Sequence, residues 1–356
     1  MLVQAKDMRV TIPALMFDPQ FYVFDFAIKS ELTKFLIVEE KNLDLAPFID
    51  NRFEPIAQGY LTVSTRELFA LESQHDIERP RASFIFHHAF VCSTLLSRSL
   101  GAADAFFALK EPWILRRLAD FKRARGNRTP GRQWREMFTA YTALLEKNYA
   151  TGRRPVIKAT NVANNLLIDK LRFMPGHPAL YLYSGLEDFL ISNLKKPEDT
   201  RRKMPGLAQA FMTDENFIQR YPAFCDLGRL SFLQVCALIW VANLDTVSRN
   251  LEAHPDARFK SLLMDDLLTD TRARVAALSA FFGHQASAED LGLMTADSIM
   301  GADAKHQEQA YSTRIKRTEA EQVRLKHQRE IDQALAWIGP LADDLGLMET
   351  MQRYRL

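Results

Sequence analysis

From residue 82 onward, short apolar runs alternate with longer stretches in which apolar side chains recur every three to four residues. Turn residues bound the apolar runs, as they do around buried strands, and the longer stretches have the period of helices. This alternation is typical of a parallel sheet covered by helices, and it predicts an α/β domain. The five predicted strands are 83–86, 105–109, 155–157, 179–183 and 258–263.

Helices are predicted between these strands and after the last of them. Gly283 lies where a helix C-cap is expected, and Pro112 suits the first turn of a helix. Residues 1–80 lack the alternation and are predicted to form an N-terminal extension or a small accessory domain, so that the α/β domain spans residues 81–356. The predicted helices are 94–100, 113–121, 133–149, 162–173, 187–195, 232–252, 272–282 and a long one at 307–338.

Composition narrows the class of protein. The 356 residues are 47% hydrophobic and 25% charged, which excludes collagen-like and largely disordered chains. Three scattered cysteines give neither a disulfide framework nor a metal signature, so we expect no metal and a reduced, cytoplasmic setting. The longest apolar stretch, 232–244, is shorter than the ~20 residues of a membrane span. The N-terminus also lacks the apolar run of a signal peptide.

Positive charge is concentrated in two stretches although the net charge is only +2. Residues 116–135 hold eight Lys or Arg against one acidic residue, and residues 305–329 hold seven against three. Such clusters favour an anionic ligand or an acidic acceptor, or they are solvated surfaces. No nucleic-acid-binding motif appears, and we expect no nucleic-acid partner.

The segment after the first predicted strand is a candidate phosphate site, because ligands of open parallel sheets bind beyond the carboxyl ends of the strands. It reads HHAFVCST from His87 to Thr94. Ser93 and Thr94 begin a helix, where free N–H groups and hydroxyls can hold a phosphate; alternatively they only cap that helix. The segment contains no glycine or lysine and matches neither GxxxxGK[ST] nor GxGxxG.

Charged and polar residues also follow the other strands. Glu111 could take a proton from an attacking hydroxyl, or it is an ordinary first-turn acid. Lys158 could pair with a phosphate or a leaving oxygen, or it is a surface lysine. Ser184 and Glu187 have the spacing of a capping box, and Ser192 on the same helix faces either a ligand or solvent.

Together these segments resemble the sulfotransferases that use 3′-phosphoadenosine 5′-phosphosulfate (PAPS). The resemblance is that of a divergent bacterial-type member, and it implies a P-loop NTPase-like, sulfotransferase-like parallel sheet flanked by helices. The order and spacing of the matching segments are together more specific than any one motif. The stretches that carry it are FIFHHAFVCSTLLSRSL (84–100), LKEPWILRRLA (109–119), PVIKATNVANNLL (155–167) and ALYLYSGLEDFLISNL (179–194). Residues 257–283 also look like the family's late strand and helix, and the C-terminal helix resembles the family more loosely.

The resemblance implies PAPS as the co-substrate. Ser93 and Thr94 match the pair that ends the family's 5′-phosphosulfate loop, and Ser192 matches the serine of its 3′-phosphate site. The chain departs from the family at Phe90, where a lysine or arginine is usual, and at Ser184, where an arginine is usual. The implied donor-binding residues are His88, Cys92, Ser93, Thr94, Arg98, Ser184 and Ser192.

The resemblance also implies the catalytic groups. The histidine base of many members is missing after Lys158-Ala159-Thr160, but a branch that resembles tyrosylprotein sulfotransferases uses a glutamate at the place of Glu111. Glu111 is therefore predicted to be the base and Lys158 to stabilise the leaving oxygen, with a hydroxyl or amine as acceptor. The alternatives are a phosphotransferase or other nucleotide-binding protein of this fold, or a non-catalytic interaction protein. Residues 1–80 are expected to cover a sheet edge or to assemble a homodimer.

Overall fold

Eight strands form two sheets in the structure, a computed structural model that describes residues 10–74, 81–125, 131–147, 149, 152–300 and 313–356. The first three strands form an antiparallel sheet in the order β1-β2-β3, and the other five form a parallel sheet in the order β5-β6-β4-β7-β8. In chain order the strands are β1 (Phe21–Ala27), β2 (Leu32–Ile37), β3 (Gly59–Ser64), β4 (Ser83–His87), β5 (Phe106–Lys110), β6 (Arg154–Lys158), β7 (Ala179–Tyr183) and β8 (Phe259–Leu263).

Helices cover the sheets and connect their strands. The longest, α12, begins with a capping box in which the Ser231 and Gln234 side chains bond each other's backbone N–H groups. The helices are α1 (Ile12–Phe17), α2 (Glu40–Leu45), α3 (Thr65–Gln74), α4 (Ser93–Gly101), α5 (Trp113–Arg125), α6 (Gly131–Ala143), α7 (Leu167–Phe173), α8 (Leu186–Leu194), α9 (Glu198–Arg201), α10 (Met204–Thr213), α11 (Phe217–Arg220), α12 (Phe232–Ala253), α13 (Met264–Thr269), α14 (Thr271–Phe281), α15 (Ala288–Met294), α16 (Asp297–Met300), α17 (Thr313–Lys326), α18 (Gln328–Asp344) and α19 (Leu347–Arg353).

The parallel sheet confirms the predicted α/β architecture. Each of its strands lies within one residue of the predicted bounds. Every residue of β4, β5 and β7 is buried, as expected where helices cover both faces. The strand order reverses at β4: β5 and β6 lie on one side of it, and β7 and β8 lie on the other. A ligand-binding crevice is expected at the carboxyl end of β4, where this reversal occurs.

Some predicted helices differ from the structure at their ends. The helix predicted at 133–149 ends at Ala143, and the one predicted at 162–173 opens with a 3₁₀ turn, Asn161–Leu166. The long C-terminal helix is present as α18, with α17 before it and a break at His327, while 307–312 lie outside the described residues. None of the described helices combines the length and apolar character that crossing a membrane requires.

The antiparallel sheet of residues 21–64 was not predicted. Its buried side chains, such as Tyr22, Phe24 and Phe35, belong to the same apolar cluster as residues of α5, α6 and α12. The described part of the N-terminal segment therefore packs directly on the parallel-sheet domain. The apolar positions of β1 are nearly continuous rather than alternating, because both of its faces are covered.

A buried lysine joins the N-terminal segment to the end of α6. Lys147 is fully buried, and its ammonium donates hydrogen bonds to the carbonyl oxygens of Leu15 (2.6 Å), Asp18 (3.0 Å) and Phe21 (2.5 Å). Charge-assisted hydrogen bonds of this kind are stronger than neutral ones, and a buried ammonium requires them. The turn between α1 and β1 is held to the rest of the molecule at this point.

We predict that Lys147→Met lowers the free energy of unfolding by about 3 kcal/mol, because the carbonyls of Leu15, Asp18 and Phe21 lose their charged donor. Urea denaturation measures the loss. The matched control is Lys41→Met, since Lys41 is exposed and pairs with nearby Glu39; its effect should stay within about 0.5 kcal/mol. Equal effects of the two substitutions would show that Lys147 does not hold the segment.

Candidate functional site

A cavity of about 340 Å³ lies at the carboxyl end of β4, where the strand order predicts a crevice. This volume is at the lower end of the range of small-molecule sites. The segment 87–94 forms one wall, with Glu111 and Asn161 beside it. A larger cavity of about 870 Å³, between β1, α3 and α6, contains none of the predicted site residues. The chemistry therefore points to the smaller cavity.

The turn from β4 into α4 has an unusual backbone. Phe90 and Cys92 have φ angles of 67° and 59°, in the left-handed region that non-glycine residues rarely adopt. Cys92 is the N-cap of α4 and makes no side-chain cap hydrogen bond. Ser93 and Thr94 are the first two residues of the helix. Both residues are buried and line the cavity. Backbone strain of this kind is concentrated at functional sites.

Lys158 connects the beginning of α4 to Glu111. Its ammonium lies 2.5 Å from Glu111 Oε1 and 3.4 Å from Thr94 Oγ1. The sheet explains the meeting, since β6 lies between β4 and β5 and Lys158 is paired with both Ile85 and Lys110. Glu111, with a φ of 59°, follows β5 directly, and its N–H donates to the Lys158 carbonyl at 2.8 Å. Three strands thus place the three functional groups together.

The electrostatics of the cavity keep Glu111 ionised. Burial raises the pKa of this carboxyl, but the charge of Lys158 and the hydrogen bond that Lys158 donates hold it below the ordinary value. Only 18% of the Glu111 side chain is exposed, and Lys158 is fully buried. An ionised carboxylate that borders a cavity can accept a proton from a bound hydroxyl or amine.

The two histidines at the carboxyl end of β4, His87 and His88, are neutral at pH 7. Burial and then the charge of Lys158 lower the pKa of His87 to about 4, and burial and then His87 lower that of His88 to about 3. The Nδ1–H of His87 donates to the His88 carbonyl at 2.5 Å, which leaves Nε2 as an acceptor. This Nε2 and both ring nitrogens of His88 are buried without a hydrogen-bond partner among the described residues.

The structure brings together six of the predicted site residues. His88, Cys92, Ser93, Thr94 and Glu111 line the cavity. Lys158 lies behind this wall, bonded to Glu111 and Thr94. Their roles in binding and catalysis stay predictions.

Three predicted donor-binding residues do not line this cavity. Arg98 lies near Lys110, whose pKa falls to about 8 through burial and the charges of Arg98 and Lys158. The Ser184 side chain is buried, and its carbonyl accepts a hydrogen bond from Trp240 Nε1 at 2.9 Å. Ser192 is half-buried on α8. The predicted 3′-phosphate site at Ser184 and Ser192 therefore stays a prediction.

The capping box expected at Ser184 and Glu187 is not formed. The N-cap of α8 is Gly185, and it makes no side-chain cap hydrogen bond. Glu187 instead forms an ion pair with Arg324 of α17, and this ion pair holds α17 against α8. A contact with an element far along the chain thus replaced the local one that the spacing predicted.

Several lining residues carry no motif that sequence reasoning could find. Phe48 and Arg52 come from the segment between α2 and β3, for which the sequence predicts no helix or strand. Elsewhere around the cavity, α8, α10 and α12 contribute mainly apolar side chains, whose helical spacing indicates only a buried face, and α9 contributes Thr200. The lining residues from these helices and their caps are Phe189, Thr200, Lys203, Met204, Leu207, Phe211, Ile239 and Asn243.

Much of the basic stretch 116–125 is paired with carboxylates inside the molecule. Arg117 bonds Asp25 of β1, Lys122 bonds Asp169 of α7 and Arg123 bonds Asp214, each within 2.8 Å. Arg116 similarly pairs with Asp120 on its own helix. For these four side chains the pairing favours a structural role over an acidic acceptor, while 126–130 lie outside the described residues.

No cluster of three or more His, Cys, Asp or Glu side chains that could hold a metal ion occurs in the part of the chain that the structure describes.

Comparison with known proteins finds similarity to solved structures only. No protein-family model matches the chain, and no curated protein matches its sequence. A sulfotransferase domain from the curacin biosynthetic pathway has 14% sequence identity and a TM-score of 0.42, over 74% of this chain and 99% of that one. A sulfotransferase from Alicyclobacillus acidocaldarius has 15% identity and a TM-score of 0.39, over 75% and 97% of the two chains. Likeness at this level says nothing about activity or substrate.

We predict that Lys158→Met lowers the free energy of unfolding at pH 7 by about 2 kcal/mol, because it leaves the Glu111 carboxylate without its ammonium. The same substitution in a Glu111→Gln background should be at least about 1 kcal/mol milder, since the uncharged amide needs no such partner. A double-mutant cycle by urea denaturation measures the difference. Additive effects of the two substitutions would contradict the coupling described for this pair.

Proposed function

We propose that this protein is a sulfotransferase that moves the sulfuryl group of PAPS to a hydroxyl or amine of an acceptor. The observation that carries the proposal is the Lys158 ammonium, which joins Thr94 at the beginning of α4 to the ionised Glu111 at the cavity. Sulfuryl transfer needs a base for the acceptor and a cation for the leaving oxygen. The two groups lie 2.5 Å apart here.

The donor end of the cavity would hold the 5′-phosphosulfate. The first turn of α4 presents N–H groups and the positive end of the helix dipole, and Ser93 and Thr94 add hydroxyl donors. His88 also fits an anionic ligand, because its neutral ring carries one buried N–H without a described partner. Oxygen atoms of a phosphosulfate would satisfy this donor, whose burial without a partner is unfavourable.

The transfer itself would need no covalent enzyme intermediate. The acceptor oxygen or nitrogen attacks sulfur while the bond from sulfur to the bridging phosphate oxygen breaks. Glu111 takes the proton that the acceptor loses, and the Lys158 ammonium stabilises the negative charge that forms on the leaving phosphate. The products are the sulfated acceptor and adenosine 3′,5′-bisphosphate.

We predict that adenosine 3′,5′-bisphosphate raises the melting temperature more than ATP or AMP does, because ligand binding to the native state stabilises it. A double Ser93→Ala, Thr94→Ala variant should lose most of this shift, while Ser287→Ala, which removes only the N-cap of α15, should keep it. A shift with ATP alone would favour the phosphotransferase alternative. No shift with any nucleotide would favour the interaction protein.

We predict that Glu111→Gln reduces sulfuryl transfer by about 100-fold or more, because the amide cannot accept the proton. Release of adenosine 3′,5′-bisphosphate from PAPS is measured with a panel of phenols, alcohols and amines as acceptors, and calorimetry follows binding of the bisphosphate. Glu349→Gln, at an exposed position of α19, is the control. Loss of bisphosphate binding together with transfer would count against a base role for Glu111.

We predict that kcat/KM shows no fall toward acid pH within the range from about pH 8 down to about pH 5. Glu111 must be ionised to act, and its lowered pKa keeps it ionised until the pH falls below the ordinary value of 4.5. The pKa values of His87 and His88, about 4 and about 3, also lie below this range. An acid limb with its midpoint near pH 6.5 would instead point to a histidine base.

A further inference from the structure

The segment 46–53, between α2 and the 3₁₀ turn Glu54–Ile56, is attached to the chain on both sides of Glu111. The Ile49 N–H donates to the Lys110 carbonyl at 2.6 Å, and the Ile49 carbonyl accepts from the Trp113 N–H at 2.9 Å. These two hydrogen bonds bracket Glu111 in the sequence. The N-terminal segment is thereby fixed beside the proposed base, and its side chains Phe48 and Arg52 reach the cavity.

Arg52 presents a guanidinium at the cavity in a held orientation. Its Nε and Nη2 atoms donate to the Asp50 carboxylate at 2.9 Å and 2.6 Å, and its Cζ lies 4.5 Å from the centre of the Phe48 ring. Its Nη1 makes no hydrogen bond to a described residue, and 65% of its side chain is exposed. Because Arg52 lines the cavity, this part of its planar guanidinium is available to a ligand that enters there.

Arg52 belongs to the same electrostatic unit as Lys158 and Glu111. The Phe48 ring that contacts Arg52 also lies 5.4 Å from the Lys158 ammonium. Asp50 and then the charge of Glu111 contribute to raising the pKa of Arg52, against the effect of burial. The four charges of Asp50, Arg52, Glu111 and Lys158 cancel. Each of the two cations is held by a carboxylate before an anion enters the cavity.

A positive charge is needed here because the loop after β4 provides none. Residues 87–94 include no lysine or arginine, and both of their histidines are neutral at pH 7. Lys196 contacts the Phe90 ring, at 4.3 Å from its centre, and Lys203 lines the cavity. Among the lysines and arginines that line the cavity, Arg52 is the one whose segment is hydrogen-bonded beside Glu111.

We infer that Arg52 binds the sulfuryl oxygens of PAPS and so supplies the cation that the loop after β4 lacks. The inference rests on the proposed function and assigns a substrate contact to the N-terminal segment. A guanidinium suits this task because its donors match two oxygens of a tetrahedral anion at once. The adenosine 3′,5′-bisphosphate product has no sulfuryl group, so Arg52 should distinguish donor from product.

The test is equilibrium binding of PAPS and of adenosine 3′,5′-bisphosphate, by calorimetry without acceptor, to wild type and four variants. Arg52→Gln should weaken PAPS binding about tenfold or more while changing bisphosphate binding less than about twofold, since only the donor loses a charge-assisted contact. Arg52→Lys should weaken PAPS binding less than Arg52→Gln does but more than the control does, because lysine keeps the charge and lacks the planar donors. Arg52→Ala repeats the test without the glutamine amide.

The control variant is Arg229→Gln, which breaks a similar local pair with Asp226 on the surface; it should bind both nucleotides as wild type does. Equal weakening of both nucleotides by Arg52→Gln, or no weakening of either, would overturn the inference and leave the proposed function standing. If wild type bound neither nucleotide, the proposed function would fail, and the inference with it. Circular dichroism melting checks that each variant is folded.

Discussion

A single buried charge, the ammonium of Lys158, sets the arrangement of the site. An ammonium without solvent exposure is tolerated only with close anionic and hydrogen-bonding partners, and here these are Glu111 and Thr94. Lys158 can reach both because β6 lies between the strands that precede them. The left-handed backbone at Glu111 follows from the same demand, since the carboxylate must turn back toward the strand beside it. The position of β6, the left-handed backbone at Glu111 and the ion pair between Lys158 and Glu111 thus occur together at this site.

The N-terminal segment is part of this arrangement. Lys147 holds its first turn, and Ile49 attaches its later loop on both sides of Glu111. The ion pair between Arg117 and Asp25 links β1 to α5, the helix that begins just after Glu111. Two contacts of charged groups and one pair of backbone hydrogen bonds thus connect residues 10–74 to the parallel-sheet domain. Loss of these contacts is expected to change stability, and loss of those at Ile49 to change the site as well.

The sequence allowed the parallel sheet to be predicted closely, because its strands are fully buried and leave continuous apolar runs. The antiparallel sheet was not predicted because residues 1–80 lack the alternation of apolar runs with helical stretches on which the prediction of the parallel strands rested, since β1 and β2 follow each other without a helix between them. Glu111, Lys158, Ser93 and Thr94 could be proposed because they directly follow strands. Arg52 could not, since its place beside Glu111 depends on backbone hydrogen bonds of Ile49 to residues about 60 positions later in the chain.

Local spacing was misleading where distant elements compete for a side chain. Ser184 and Glu187 have the spacing of a capping box, yet Glu187 pairs with Arg324 of α17. The basic stretch 116–135 predicted an anionic ligand, an acidic acceptor or a solvated surface, yet in its described part Asp25, Asp169 and Asp214 form ion pairs with three of its cations. In both cases the ion pair forms between elements far apart in sequence, which composition and spacing do not encode.

A crystal structure with adenosine 3′,5′-bisphosphate bound is the most direct test of the central role of Lys158. We expect the 5′-phosphate at the first turn of α4, within hydrogen-bond distance of Thr94 Oγ1 and of the Lys158 ammonium, with Glu111 facing the remaining space of the cavity. A nucleotide bound elsewhere, or one whose 5′-phosphate lies away from Lys158, would contradict the account.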